Sequence, residues 1–220
     1  MSAVLQKWTH IAQDSAFALV LPDGCRDIIR IEYLDGRHDW HVSSLQSMPE
    51  HVALSPGAKL TGYRLRPGTR IAPEFVTALE HDLSITNEDV VHAVDAPARS
   101  VDAIHCLASA SSIEKAAALI GVSVRSLHRI LVKETGKSPV FWLRLARARR
   151  AAQERDMPLA DAAVEHGFSD QAHMAREFRH WFGVTPRALR ADVAIQEQLA
   201  QPALATGEQI SIKNPLMSDT

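Results

Sequence analysis

The stretch from Ser112 to Arg190 is written twice, and that repetition constrains the fold more than any other feature of the chain. Displaced by 47 positions, Leu127-His128-Arg129-Ile130-Leu131 falls on Met174-Ala175-Arg176-Glu177-Phe178, with both leucines on apolar residues and Arg on Arg. The same displacement carries Gly136 onto Gly183, Ser138 onto Thr185 and Pro139 onto Pro186. Upstream it falls to 46, taking Ala117 to Ala163 and Gly121 to Gly167, so the copies differ by one residue in the turn between. A short, punctuated pair of this kind marks one supersecondary unit used twice.

Each copy has the pattern of a helix-turn-helix. In the first, Ile113 to Ile120 reads as a short helix opened by Ser111 or Ser112, whose hydroxyl can accept from the free N–H groups of the first turn. Gly121 stands where that helix must end at positive φ, a conformation only glycine adopts cheaply. Ser123 caps a second helix running to Thr135, and Gly136 ends it. Ala117 is small where two crossing helices touch, and Leu127 and Ile130 fill the angle between them. The second copy repeats this with Ala163, Gly167, Met174 and Phe178, ending at Gly183. One such pattern is common in helical cores; two in one register point to paired helix-turn-helix units.

Ser138-Pro139 supplies an N-cap and a proline at the first helical position, which starts a helix between the copies. Nothing breaks the run from there to Arg155, and about 17 residues at ~1.5 Å each make a rod of roughly 25 Å. Two recognition helices held by such a rod can meet one face of a DNA duplex about one turn, roughly 34 Å, apart.

These residues also carry a family likeness. GVSVRSLHRILVKETGKSPVFWLRLARARRAAQ followed by LADAAVEHGFSDQAHMAREFRHWFGVTPRALR resembles the DNA-binding module of AraC/XylS-type bacterial transcription regulators. The likeness runs from about Ala98 to Arg190, and GFSDQ and GVTP are its most specific parts. Ala162 stands where the family has a larger aliphatic residue, His173-Met174 replaces a pair of aromatics, and Ala148 is smaller than usual in the linker helix. Together these predict a lighter core in the second half. The resemblance implies a sequence-specific DNA-binding transcription regulator, a homodimer, with double-stranded DNA and RNA polymerase as partners and no cofactor.

The net charge of -2 conceals a division. Residues 1–97 carry 8 Lys/Arg against 13 Asp/Glu, residues 98–190 carry 15 against 9, and the remainder 1 against 4. Positive charge thus lies on the repeated module, as neutralisation of phosphates requires. At 220 residues and 46% hydrophobic, the chain can bury one or two modest cores. Cys25 and Cys106 supply neither a disulfide framework nor a four-ligand zinc site. The apolar runs are too short to cross a bilayer, and Met1 to Trp8 does not read as a signal peptide, so a cytoplasmic protein without membrane contact is expected.

The N-terminal residues read as β. Ala16–Leu21, Asp27–Leu34, Arg37–Ser43, Val52–Leu54 and Lys59–Arg66 are short strands, punctuated by Pro22-Asp23-Gly24, Asp35-Gly36 and Pro56-Gly57. They predict a small sandwich or open barrel, and PDGCRDII and LTGYRLRPGT resemble the short cupin-like N-terminal domain of some regulators of the same family. From Pro73 the period turns helical, over Glu74–His81 and Asn87–Val94, the second capped by Thr86 or Asn87. The expected organisation is α+β: a β-rich sensor or dimerisation domain over 1–72, a helical connector over 73–97, and a double helix-turn-helix DNA-binding domain over 98–190. A C-terminal extension over 191–220 is expected to be helical to Ala200 and disordered beyond.

On the first recognition helix Leu127, Ile130 and Leu131 define the buried face, so the opposite face holds Arg125, His128, Arg129 and Val132. Arginine pairs bidentately with guanine and histidine reaches a base edge. The equivalent face of the second helix holds Ala172, Ala175, Arg176 and Arg179, with Gln171 at its start. Alanines touch only thymine methyls, whereas Gln171 suits adenine. Base contacts are therefore expected from Arg125, His128, Arg129, Gln171, Ala172, Ala175 and Arg176. Phosphate contacts are expected from Lys133, Lys137, Arg179 and Arg187. The first head reads; the second mainly anchors.

In the β domain, Ile28, Ile29, Tyr63 and Leu65 are expected to line a pocket for a small-molecule effector. One alternative is an effector-independent regulator whose N-terminal domain only dimerises; another is a cupin-type enzyme domain fused to a DNA reader. His38 and His41 are the residues such an enzyme would use for metal, but strand neighbours three apart point to opposite faces and no nearby Glu completes a set. Cys25 reads as a small buried residue after a turn rather than a reactive thiol. No residue is assigned a catalytic role. The tail beyond Ala200 lies outside the repeat, so its removal is expected to leave DNA binding unchanged.

Overall fold

The structure is a computed structural model that describes residues 2–13, 17–81 and 84–206. Ala16, the expected start of a strand, and the expected disorder beyond Thr206 lie outside the described residues. Along the N-terminal part come β1 (Val4–Ile11), β2 (Phe17–Val20), β3 (Arg26–Glu32), β4 (His38–Val42), β5 (Glu50–Ala53), β6 (Lys59–Leu65) and β7 (Arg70–Ile71), then α1 (Pro73–His81), α2 (Asn87–His92) and β8 (Val94–Asp95). An antiparallel sheet runs in the order β1-β6-β3-β4, and β2-β5 and β7-β8 are separate two-stranded ribbons.

Strand β1 is not announced by the sequence. Its residues VLQKWTHI are all half-buried or exposed, so it lacks the apolar face that marks a strand. What seats it is Trp8, whose indole lies flat against Gly62 of β6; a Cβ there would come within 2.0 Å of the ring. The indole Nε1 donates to Asp27 Oδ1 at 2.8 Å on β3, so one side chain spans three strands.

Strand alternation sends Ile28, Tyr63 and Leu65 to one face of the sheet. There they pack with Ile71, Phe75, Leu79, Val90 and Val94. Helices α1 and α2 therefore close that face, and the stretch expected as a connector supplies part of the N-terminal core. Thr86 caps α2 with a reciprocal pair: Asp89 N–H donates to Thr86 Oγ1, and Thr86 N–H to Asp89 Oδ2.

The helical module contains α3 (Ala98–Ser109), α4 (Ile113–Leu119), α5 (Val124–Thr135), α6 (Pro139–Gln153), α7 (Leu159–Glu165), α8 (Gln171–Phe182), α9 (Pro186–Ala191) and α10 (Val193–Leu199). The repeat is realised as α4-α5 and α7-α8. Gly136 and Gly183 end the recognition helices in the left-handed region, at φ 70° and 74°. Ser138 and Thr185 then cap the next helices, each with proline immediately after. Helix α6 is 15 residues long, a rod of about 22 Å and shorter than expected. Around it Trp142, Leu145, Ala146, Ala148 and Ala152 are buried, as are Ala117 and Ala163 at the two crossings. The second half is light at Ala148, Ala162 and Met174, but Phe168, Phe178, Trp181 and Phe182 fill it.

The C-terminal extension departs from expectation. Beyond α10 the chain runs on to place Leu204 in the core, where its N–H donates to Asp23 O at 2.9 Å. Arg64 Nη1 donates to Pro202 O at 3.4 Å, and Arg149 Nε to Leu204 O at 2.9 Å. Residues 201–206 thus pack between the β domain and α6. A single leucine without periodicity gives no sign of this in the sequence.

Burial at the second helix crossing is testable. Ala163→Leu should destabilise the protein by roughly 1–3 kcal/mol through overpacking, whereas Val164→Ala, at an exposed position, should stay within about 0.5 kcal/mol. Chemical denaturation followed by circular dichroism measures both.

Candidate nucleic-acid interface

The first recognition helix, α5, opens at Ser123, whose Oγ accepts from Ser126 N–H at 3.1 Å. Leu127 and Leu131 are fully buried beneath it. Arg125, His128 and Arg129 are exposed on the other side, with Lys133 and Val132 a turn further on. Neither Arg125 nor Arg129 forms an ion pair with another described residue, so their guanidinium groups face solvent with all donors available.

The second recognition helix, α8, opens at Asp170, whose Oδ1 accepts from His173 N–H at 2.6 Å. That bond holds the Asp170 carboxyl below the ordinary aspartate range, and the nearby Arg176 charge adds to it. Gln171, Ala172, Arg176 and Arg179 are exposed, and Ala175 is half-buried. Arg187 is exposed on α9.

The interaction that holds α8 in place has no signature in the sequence. Glu177, aligned on the apolar Ile130 by the repeat, is 9% exposed. Arg144 of α6 grips it with two bonds, Nε to Oε2 at 3.0 Å and Nη2 to Oε1 at 2.6 Å. Trp181 Nε1 adds a third at 3.1 Å. On α5 the equivalent tie is neutral: Trp142 Nε1 donates to Thr135 Oγ1 at 3.3 Å.

The C-terminal ends of both recognition helices abut the β domain. Arg70 Nε lies 3.4 Å from Glu134 Oε2, and Pro49 packs on Gly183. Lys137, expected on phosphate, donates to Ser47 Oγ at 3.2 Å and lies over the Phe141 ring at 4.9 Å. The left-handed turn at Gly136 carries it off the helix and towards the β domain.

Three of the four residues expected to line an effector pocket come together, and the fourth, Ile29, does not. Ile28, Tyr63 and Leu65 are buried in the packed core under α1 and α2, while Ile29 sits half-buried on the opposite face of β3. A cleft of about 130 Å³ does lie between the domains, among Gly24, Arg26, Leu65, Arg66, Thr69, Glu134 and Thr135. Cys25 is buried; burial, with Asp23 beside it, pushes its thiol well above the ordinary value. Among the described residues no group of three His, Cys, Asp or Glu side chains is placed to hold a metal ion. No described helix is long and apolar enough to cross a membrane.

Two helix-turn-helix units set on one buried helix define a double helix-turn-helix module of the nucleic-acid-binding class. A family model described as a helix-turn-helix domain matches residues 116–192. The chain is 38% identical over 80 residues to the HTH-type transcriptional activator RhaS of Klebsiella pneumoniae (strain 342), covering 35% of this chain and 29% of that protein. With RhaS of Escherichia fergusonii the identity is 37% over 86 residues, covering 38% of this chain and 31% of that one. A solved AraC-type DNA-binding domain-containing transcriptional regulator from Chromobacterium violaceum is 31% identical, covers 46% of this chain and 92% of its own, and gives a TM-score of 0.36. The C-terminal module is thus a helix-turn-helix domain similar to those of AraC-type transcription regulators. The chain spans less than a third of the length of these curated relatives.

Glu177 makes the stability of the second head depend on pH. Burial raises its pKa, but the bonds from Arg144 and Trp181 and the Arg144 charge outweigh burial and leave it below the ordinary value of 4.5. A carboxylate depressed in the folded state contributes stability above its unfolded pKa, lost as pH falls through the folded one. Glu177→Gln should therefore cost about 1–2 kcal/mol at pH 7, modest because the Arg144 side chain is 43% exposed. The gap between variant and wild type should close as pH falls below about 4.5. A gap that stays constant in acid denaturation profiles would assign the cost to packing instead.

Proposed function

We propose that this chain is a sequence-specific regulator of transcription that binds double-stranded DNA in the cytoplasm and carries no enzymatic activity. The observation that carries the reading is the pair of exposed recognition helices presented by one buried linker helix. Helix α5 enters a major groove, with Arg125, His128 and Arg129 at base edges and Lys133 on phosphate. Helix α8 enters the next groove, with Gln171 and the two alanines at bases, Arg176 beside them, and Arg179 and Arg187 on the backbone. A rod of about 22 Å suits two grooves on one face of the duplex. The regulator's output passes through RNA polymerase.

The packed interior beneath α1 and α2 favours a second reading of the N-terminal domain, as a dimerisation module of a homodimer rather than a sensor. For an effector-responsive regulator, the small cleft between the domains is a place where an effector would enter. Titration with candidate metabolites, read as a rise in melting temperature, separates the two.

Base readout distinguishes the heads. Binding-site selection on the wild type and on Arg125→Ala, Arg129→Ala, Gln171→Ala and Arg179→Ala should show relaxed base preference in one half-site for the first two. Each lost contact is worth ~1–3 kcal/mol of discrimination. Gln171→Ala should blur one base position in the other half-site, while Arg179→Ala should weaken binding evenly and flatten its salt dependence. Absence of duplex binding even at low salt would sink the reading, and altered base preference in Arg179→Ala would overturn the assignment of faces.

A further inference from the structure

We propose that residues 192–206 form a latch that ties the N-terminal β domain to the linker helix α6, so that its seating couples the position of that domain to the helix that carries the reading module. Its anchor is Arg149, a cation 1% exposed in the middle of the core. Arg149 has no carboxylate within ion-pairing distance among the described residues. Its bonds go to the main chain of the extension, Nε to Leu204 O at 2.9 Å and Nη2 to Leu199 O at 3.2 Å. Leu199 closes α10, where the unpaired carbonyls of a helix end carry partial negative charge. A buried cation needs such partners, because leaving it without them is strongly unfavourable.

On the other side the latch grips the β domain. The Leu204 N–H donates to Asp23 O in the turn before β3. Gly24 of that turn, at φ +79°, lies so close that a Cβ would fall 2.9 Å from Leu204 Cβ and 3.2 Å from the Trp142 ring. Turn, latch and linker helix thus meet where there is no room for a methyl group. Arg64 of β6 joins the contact, bonding Pro202 O while pairing with Asp23 at 3.3 Å and Asp27 at 3.4 Å.

Other ties join the domains beside the latch: Leu21, with Leu19 and Leu45, packs in the same apolar cluster as α6, Gly24 meets the Trp142 ring, and Pro49 packs on Gly183. Arg70 with Glu134 and Lys137 with Ser47 are single polar contacts at the surface, which contribute little. Gly68 packs on Ser100 and Ile104, but that seam holds α3 and not α6. With Arg149 requiring its carbonyls and Leu204 filling a space with no slack, the latch is either seated or withdrawn as a unit. It is a two-state element through which the position of the β domain is coupled to the helix that carries both heads.

The test uses the full chain and reads structure in the absence of DNA, so its outcome is independent of the DNA-binding proposal. Leu204→Ala, which leaves a cavity, should raise amide exchange at Leu204 and in the turn at Gly24 and Cys25 together, by at least about tenfold. Exchange within α5 and α8 should be unchanged. Leu204→Asp should go further and enlarge the radius of gyration in small-angle scattering as the domains separate. The proposal is overturned if exchange rises in 201–206 alone, with the turn still protected, or if Leu204→Asp folds and stays as compact as the wild type. Should Leu204→Asp fail to fold, the paired exchange in Leu204→Ala decides.

Discussion

Burial of the linker helix is the constraint on which the rest of the molecule depends. A helix enclosed on most of its circumference must present small side chains where neighbours cross it closely, and α6 does so with Ala146, Ala148, Ala151 and Ala152. Trp142 and Leu145 fill the wider gaps. Against this one rod lie α3, both helix-turn-helix units and the C-terminal extension. Each recognition helix thus meets α6 as well as its own preceding helix. Thr135 and Trp142 fix one meeting, Glu177 and Arg144 the other.

Charge on the module has two uses, which composition alone does not separate. Arg144 is committed to Glu177, Arg149 to the extension, and Arg190 to the carbonyls of Glu154 and Met157 in the loop after α6. Arg149 is buried and Arg150 half-buried, and burial lowers the pKa of both below the usual guanidinium value. The excess of Lys and Arg over residues 98–190 thus overstates the surface offered to phosphate. Six of the others, Arg125, Arg129 and Lys133 on α5, Arg176 and Arg179 on α8 and Arg187 on α9, are exposed on the recognition helices and the helix after them.

Features that obey local rules were legible in the sequence. Gly136 and Gly183 must turn the chain at positive φ, Ser138 and Thr185 must cap the helices after those turns, and small residues must stand at the crossings, so the repeated units could be placed closely. Features that depend on a distant partner were not legible. Glu177 finds Arg144 at a separation of 33 residues, and Arg149 finds Leu204 at 55. Strand β1 is held by the fit of Trp8 to Gly62, and periodicity records no such contact. The interior of the β domain could not be told from a pocket, because apolar strand residues look alike whether a helix or a ligand covers them.

The Glu177 position has a further consequence for how the two halves of the repeat have diverged. Their helices match in length, yet the position held by the half-buried Ile130 in one is held by an anion gripped by Arg144 in the other. A graft of the second recognition helix into the first position would bring that carboxylate without its guanidinium. The reverse graft would strip Arg144 of its counter-charge. The halves are alike in shape but no longer interchangeable parts, and each is matched to its own stretch of the linker helix.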